Sequence, residues 1–242
     1  MSETPYPEWY PDFDTDPANT VFQSLVSDWL DDIQSELVEA IYTRSQHESF
    51  SVRMLPMLTR IDQEIPGPGI HTAVWKNNRY RYPFSETFER ILRPLRYIPA
   101  YLGKACHEPL FARAALQMAG AHLEGCVKNM HRIGSKQVRY PRAPLGSLLR
   151  KKPIKRMLDE KILEAMRVYT NLGVNPAKHD YTAGQVSGSL FTFEVAVYGY
   201  FLARRFGAAV LEASEQLVPI ITAVEDATTR RYFFGGAAMS AS

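Results

Sequence analysis

The stretch NPAKHD, residues 175–180, puts a carboxamide, an ammonium group and an imidazole within a few positions of one another. His179 is the last histidine of the chain. An imidazole titrates near neutral pH and can serve as general acid or base, while an adjacent cation such as Lys178 can stabilise charge on a phosphate. The same residues also have a purely structural account. Gly173 closes one helix in a left-handed conformation, Asn175 caps the next turn, and Pro176 takes its first position.

A second feature is the placement of charge. Net charge is only +2 at pH 7, yet no Lys or Arg occurs from Met1 to Thr43, where Glu3, Glu8, Asp12, Asp14, Asp16, Asp28, Asp31, Asp32, Glu36 and Glu39 lie. Between Glu124 and Asp159 the balance reverses, with Lys128, Arg132, Lys136, Arg139, Arg142, Arg150, Lys151, Lys152, Lys155 and Arg156 and no acid among them. Each cation that neutralises a phosphate releases a condensed counterion, so such a tract attracts RNA or DNA. The alternative is a solvated connection balanced by the acidic amino-terminal region, in the same chain or a neighbouring one. An acidic arm carrying Tyr6, Trp9, Tyr10 and Phe13 would then compete with nucleic acid for the basic groove.

Other groupings point to packing. His122 and Cys126 share a helix face, with Cys106, His107 and His131 near in sequence, but no CxxC or HExxH pattern accompanies them, so no metal site is expected. No glycine-rich phosphate loop and no GxSxG is present, and no cofactor is implied. Arg204 and Arg205 are adjacent on the last helix, so at most one can face the buried edge with Tyr198 and Leu202; an exposed pair is expected. Two cysteines are too few for a disulfide framework and favour a reducing compartment. With no leader-like segment and no apolar run long enough to span a bilayer, the expectation is a cytoplasmic protein that does not enter the membrane.

The elements that must position these residues read as helices. Residues 1–19, with four prolines among acids and aromatics, form an arm. Phe22, Leu25, Trp29, Ile33, Leu37 and Ile41 recur every three or four positions from Thr20 to about Ser45, and a shorter helix is expected over 51–63. IPGPGI, 65–70, breaks the chain, and HTAVWKNNRYRYPF, 71–84, reads as a loop or brief hairpin. Helix resumes near Ser85 with interruptions at Pro94 and Pro99. Pro109 opens a long helix with the stripe Ala112, Leu116, Ala119, Leu123, Val127 and Met130. Residues 157–172 and a stretch from Phe191 into the 210s complete the set, and the tail after Phe234 reads as disordered. The fold class is all-α, a helical bundle, organised as the arm (1–19), an amino-terminal helical region (20–104), a helical domain (105–232) and a flexible tail (233–242).

The segments EPLFARAALQMAGAHLEGCVK, APLGSLL, LDEKILEAMRVYTNLGVNPAKHD and LFTFEVAVYGYFLARRFGAAVL, taken in order over about 108–211, resemble the HEPN superfamily of bacterial and archaeal helical domains. The likeness is to its branch with an Ala-rich first helix ending in a glutamate, an Asn-x-x-x-His junction and a long last helix. The resemblance implies a helical bundle, frequent homodimerisation, and roles in RNA binding or metal-independent RNA cleavage, often in phage defence or toxin–antitoxin systems. It makes His179 the matching histidine and places Glu124 where it can pair with a basic residue of the motif. Active members carry an arginine a few residues before the histidine, whereas Leu172, Gly173 and Val174 stand there. Arg167, folded back at Gly173, or Lys178 would have to supply that charge, with Asn171 and Asn175 as the nearby polar residues.

The expectation is therefore an RNA-associated protein that binds through Lys136, Arg139, Arg142, Arg150, Lys151, Lys152, Lys155 and Arg156. His179, Arg167, Lys178, Asn175 and Glu124 form the candidate catalytic group. The alternative is a non-enzymatic interaction module that docks a protein partner or self-associates through its acidic and basic blocks.

Overall fold

The computed structural model describes residues 17–42, 50–73, 90–178 and 191–220. The first helix, α1 (Pro17–Tyr42), begins three residues earlier than the apolar spacing predicts, at a proline whose missing N–H is no loss in a first turn. It buries Phe22, Leu25, Val26, Leu30, Ile33, Leu37 and Ile41. After α2 (Met54–Glu64) and the single turn α3 (Ile70–Ala73), the chain reappears at residue 90, makes a 3-10 turn at Pro94–Arg96 and enters α4 (Ile98–Ala105). Pro99 lies in the first turn of α4 and so does not break it. The expected hairpin lies mostly outside the described residues, at 74–84.

The central element is α5 (Pro109–Gly134), which starts at the proline the sequence marks. Two short helices follow, α6 (Leu145–Leu148) and α7 (Lys152–Met157), then α8 (Glu160–Tyr169), whose first turn is capped by the Asp159 carboxylate accepting from the Lys161 amide at 2.7 Å. The segment expected as one helix over 157–172 is thus divided at Leu158. The last long helix, α10 (Phe193–Ala213), is capped by Thr192, whose hydroxyl accepts from the Val195 amide at 3.2 Å. The single turn α9 (Asn175–Lys178) precedes it in the chain.

Gly173 does not terminate a helix. The chain runs from α8 through a π turn, Thr170–Val174, directly into α9, and Gly173 has no left-handed φ. Asn175 is no N-cap either, since its backbone is helical at φ −66, ψ −49. A proline inside a helix lacks one N–H and crowds the preceding turn, and the wider π turn lies directly upstream of Pro176. The segment packs closely on α5, where a Cβ on Gly120 would stand 2.5 Å from Val174 Cγ1.

Among the described residues every regular element is helical. α5 and α10 pack along each other, α1 covers α10 and α4 covers α5. Residues on both sides of 104 contribute to one core, from Phe22 to Ile220. Tyr169 ties α8 to α10 by donating to the Gly199 carbonyl at 2.9 Å. Trp29 meets Phe206 edge-on with ring centroids 5.3 Å apart, as aromatic quadrupoles prefer.

Candidate nucleic-acid interface

One face of α5 is polar. Arg113, Gln117, Glu124 and Lys128 follow one another at helical spacing beside the buried apolar stripe, and all but Lys128 hold the end of α9. Arg113 Nε donates to the Ala177 carbonyl at 2.9 Å, Gln117 Nε2 donates to the same oxygen, and Lys178 Nζ donates to Glu124 Oε2 at 2.6 Å. These bonds satisfy a carbonyl that the short helix leaves without an intrahelical partner. Glu124 also takes Lys128 at 2.7 Å on its other oxygen. Burial would raise the Glu124 carboxyl, but the two lysines hold it below the usual carboxylate range.

Lys178, Glu124 and Lys128 form part of the lining of an open cleft of about 540 Å³ together with Arg90, Arg93, Tyr97 and Met118. Among the described residues its lining holds four cations, Arg90, Arg93, Lys128 and Lys178, and one carboxylate, Glu124. Its wall is built by a close backbone approach, in which a Cβ on Gly125 would lie 2.5 Å from the Arg90 carbonyl oxygen. Arg90 also stacks over Tyr140 at 4.9 Å, with Arg132 over the same ring at 5.1 Å. The Tyr140 hydroxyl donates to Asn129 Oδ1 at 3.3 Å. The cleft and the basic tract thus meet at Arg90.

The tract leaves α5 through a left-handed residue, Lys136 (φ 52), with the Gln137 amide bonded to the Arg132 carbonyl at 2.9 Å and the Lys136 amide to that of Ile133 at 3.0 Å. Leu145, Leu148, Leu149 and Ile154 anchor the tract in the core. Lys136, Arg139, Arg142, Arg150, Lys151, Lys152, Lys155 and Arg156 all remain exposed, and none makes an ion pair among the described residues.

The structure brings together Lys178 and Glu124 from the expected catalytic group and separates Arg167 from them. The Arg167 guanidinium donates to Glu160 and Glu164, each at 2.9 Å, along its own helix face. Asn175 Nδ2 reaches Asn171 Oδ1 only at 3.5 Å. His179 lies outside the described residues, as do 1–16 of the acidic arm and the tail from 221.

A second polar cluster lies in the core, and it corrects the expectation of an exposed arginine pair. Arg204 is 1 % exposed and Asp62 0 %. Arg204 Nε donates to Asp62 Oδ1 at 2.8 Å, and its Nη2 donates to the carbonyls of Ile65 at 2.8 Å and Gly67 at 3.1 Å. Tyr200 donates its hydroxyl to Asp62 Oδ1 at 2.5 Å, while His71 Nδ1 meets Oδ2 at 2.5 Å. Gly67 has φ +88, and a Cβ on Gly69 would overlap the Asp62 carboxylate, so the IPGPGI breaker is the turn this arginine clasps. Burial opposes the Asp62 charge, but Arg204, His71 and Tyr200 together hold the carboxyl well below its usual range. Arg205 points away and pairs with Asp32 of α1.

His122, one turn from Cys126 on α5, is wholly buried and donates Nδ1–H to the Ile91 carbonyl at 2.8 Å. Burial, with the Arg204 charge nearby, pushes its pKa down to about 4, and burial pushes the Cys126 thiol up to about 12. Both are packed neutral groups. Among the described residues no cluster of three or more His, Cys, Asp or Glu could hold a metal, and no helix is long and apolar enough to cross a membrane.

Sequence reasoning missed Arg113, Gln117, Arg90 and Arg93. For the first two the signal was present as a polar stripe in register with Glu124. Compared with known proteins, the chain matches no family model, no curated protein and no solved structure.

Proposed function

We propose that this protein binds RNA across the basic tract and the adjoining cationic cleft. The observation that carries the reading is the set of eight exposed tract cations, none of which makes an ion pair among the described residues. The HEPN-like order of segments supplies the context, a homodimeric protein of phage defence or of a toxin–antitoxin system. If RNA is cut, His179 is the proton-transfer group, and Lys178, held on Glu124, is the cation beside it in sequence. Arg167 is committed to two glutamates and is the weaker candidate for that charge.

The test is incubation of the purified protein, and of His179→Ala, with total RNA and a defined single-stranded oligonucleotide in EDTA, followed for cleavage and for mobility shift. Binding is expected to fall steeply with salt. Neutralising Lys151, Lys152, Lys155 and Arg156 to Gln should flatten the slope of log affinity against log salt by about 3. Affinity indifferent to those four changes would overturn the reading. Cleavage lost in His179→Ala would add metal-independent ribonuclease activity to it.

A second reading, docking of a protein partner or self-association, rests on the acidic face of α1, where Asp28 and Asp31 are exposed and unpaired among the described residues. Sedimentation of Asp28→Asn/Asp31→Asn against the unaltered protein decides it; a shift toward monomer supports charge-mediated pairing of copies.

A further inference from the structure

A row of aromatic rings leads out of the cationic cleft. Tyr97 lines the cleft and is 44 % exposed. Its ring stacks on Tyr101 with centroids 6.3 Å apart and planes 26° from parallel, and Tyr101 stacks on Phe111 at 6.3 Å and 22°. Lys104 Nζ sits 4.7 Å over the Phe111 ring, and Arg93, exposed in the same cleft lining as Tyr97, makes no ion pair among the described residues.

Tyr97 stands in the turn before α4, Tyr101 on α4 and Phe111 on α5, so the ladder is a product of the packing of α4 on α5 rather than of one amphipathic face. Four cations, Arg90, Arg93, Lys128 and Lys178, line the cleft with Tyr97. Aromatic faces beside a phosphate-attracting groove are the elements that single-stranded nucleic acid requires, since every unpaired base offers a π face whatever its sequence. A duplex cannot use such a platform, because its bases are already stacked on one another.

We propose that the cleft is the entry of a single-stranded RNA path: a phosphate sits among Arg90, Arg93, Lys128 and Lys178, and an unpaired base stacks on Tyr97. The cleft volume is within the range of roughly 300–1,000 Å³ typical of small-ligand sites, enough for a nucleotide. The ladder then continues the stack inward through Tyr101 to Phe111. This inference rests on the RNA-binding reading and narrows it to unpaired strands with little sequence preference.

The experiment compares fluorescence anisotropy of a labelled mixed-sequence RNA dodecamer, alone and annealed to its complement, for the full-length protein, Tyr97→Ala, Tyr97→Phe and Arg93→Gln, with melting curves to show that each variant folds. The single strand is expected to bind at least tenfold more tightly than the duplex. Tyr97→Ala should lose about tenfold in single-strand affinity with its salt slope unchanged, and Tyr97→Phe should retain affinity. Arg93→Gln should lower the slope by about 1. Equal affinity for strand and duplex, unaffected by Tyr97→Ala, would overturn the single-strand path while leaving tract-mediated RNA binding intact. No binding of either RNA would overturn both readings. Displacement of RNA by polyglutamate at matched charge would make the surface a dock for an acidic protein and overturn the proposal.

Discussion

Two clusters in this molecule are built from the same parts, a carboxylate bridging cations, and they differ in what surrounds them. In the core, Asp62 receives Arg204, Tyr200 and His71 and is wholly buried, so every lone pair facing the interior has a donor. At the cleft, Glu124 receives Lys178 and Lys128, yet Arg93 in the same lining makes no ion pair among the described residues. A satisfied cluster fixes a fold, because breaking it strands a charge in a low-dielectric interior. An unbalanced one facing water holds attraction in reserve for a ligand. The buried salt bridge is therefore the structural element and the partly exposed one the functional candidate.

The comparison breaks first at Arg204. Arg204→Ala leaves Asp62 uncompensated and should cost about 3–5 kcal/mol, read from urea denaturation at pH 7. In the intact protein the folded Asp62 carboxyl lies below its unfolded value. Its contribution is therefore complete above the ordinary carboxylate pKa of about 3.9 and is lost only as pH falls through the depressed folded value. In Arg204→Ala burial raises the same carboxyl, so the penalty should begin to shrink as pH falls toward the ordinary carboxylate range, where the stranded group takes up a proton.

His122 gives the next effect. Its folded pKa of about 4 lies below the ordinary histidine value of 6.5, so the unfolded chain binds the extra proton between them and stability falls as pH drops from 6.5 toward 4. The loss across that window is roughly 3 kcal/mol. His122→Gln, which keeps a donor for the Ile91 carbonyl, should be flatter over the same window in denaturation series at graded pH.

A smaller effect sharpens the contrast. Glu124→Gln removes the one acid among the described residues of the cleft lining and should change stability by about 1 kcal/mol or less, since both lysines can turn to water. RNA affinity should rise a few-fold in the same variant. A loss of affinity would mean that Glu124 works by positioning Lys178 rather than by cancelling its charge. Smallest of all, Lys136→Gly relieves a left-handed non-glycine residue at the end of α5 and should stabilise by about 0.5–1 kcal/mol, read as a higher Tm, while lowering the salt slope of RNA binding by about 1.

Much of the fold was legible because helices write their period locally. The stripes of α1, α5 and α10 and the proline start of α5 were all readable, and so was the all-α class. The NPAKHD junction was misread for a physical reason. Gly173 followed by Asn175 and Pro176 carries every local mark of a helix stop and restart, yet Val174 packs against Gly120 of α5 and the chain continues through a π turn. Of the candidate site, the resemblance implied that Glu124 could pair with a basic residue of the motif without saying which, and the packing of the 175–178 turn on α5 makes Lys178 its partner. Arg90 and Arg93 were not foreseen, because their part in the cleft depends on the backbone at Arg90 pressing on Gly125.

The sequence by itself determined where helices form, which faces they bury, and that the basic and acidic residues occupy separate stretches, since these depend on neighbours within a few positions. Only the tertiary structure decided which charges are used up inside and which remain available. Arg204 and Arg205 are adjacent in the chain, but successive residues on a helix point about 100° apart. One enters the core to clasp a turn 137 residues away at Gly67, and the other stays at the surface with Asp32. Such pairings are set by the packing of whole helices, which no local pattern encodes.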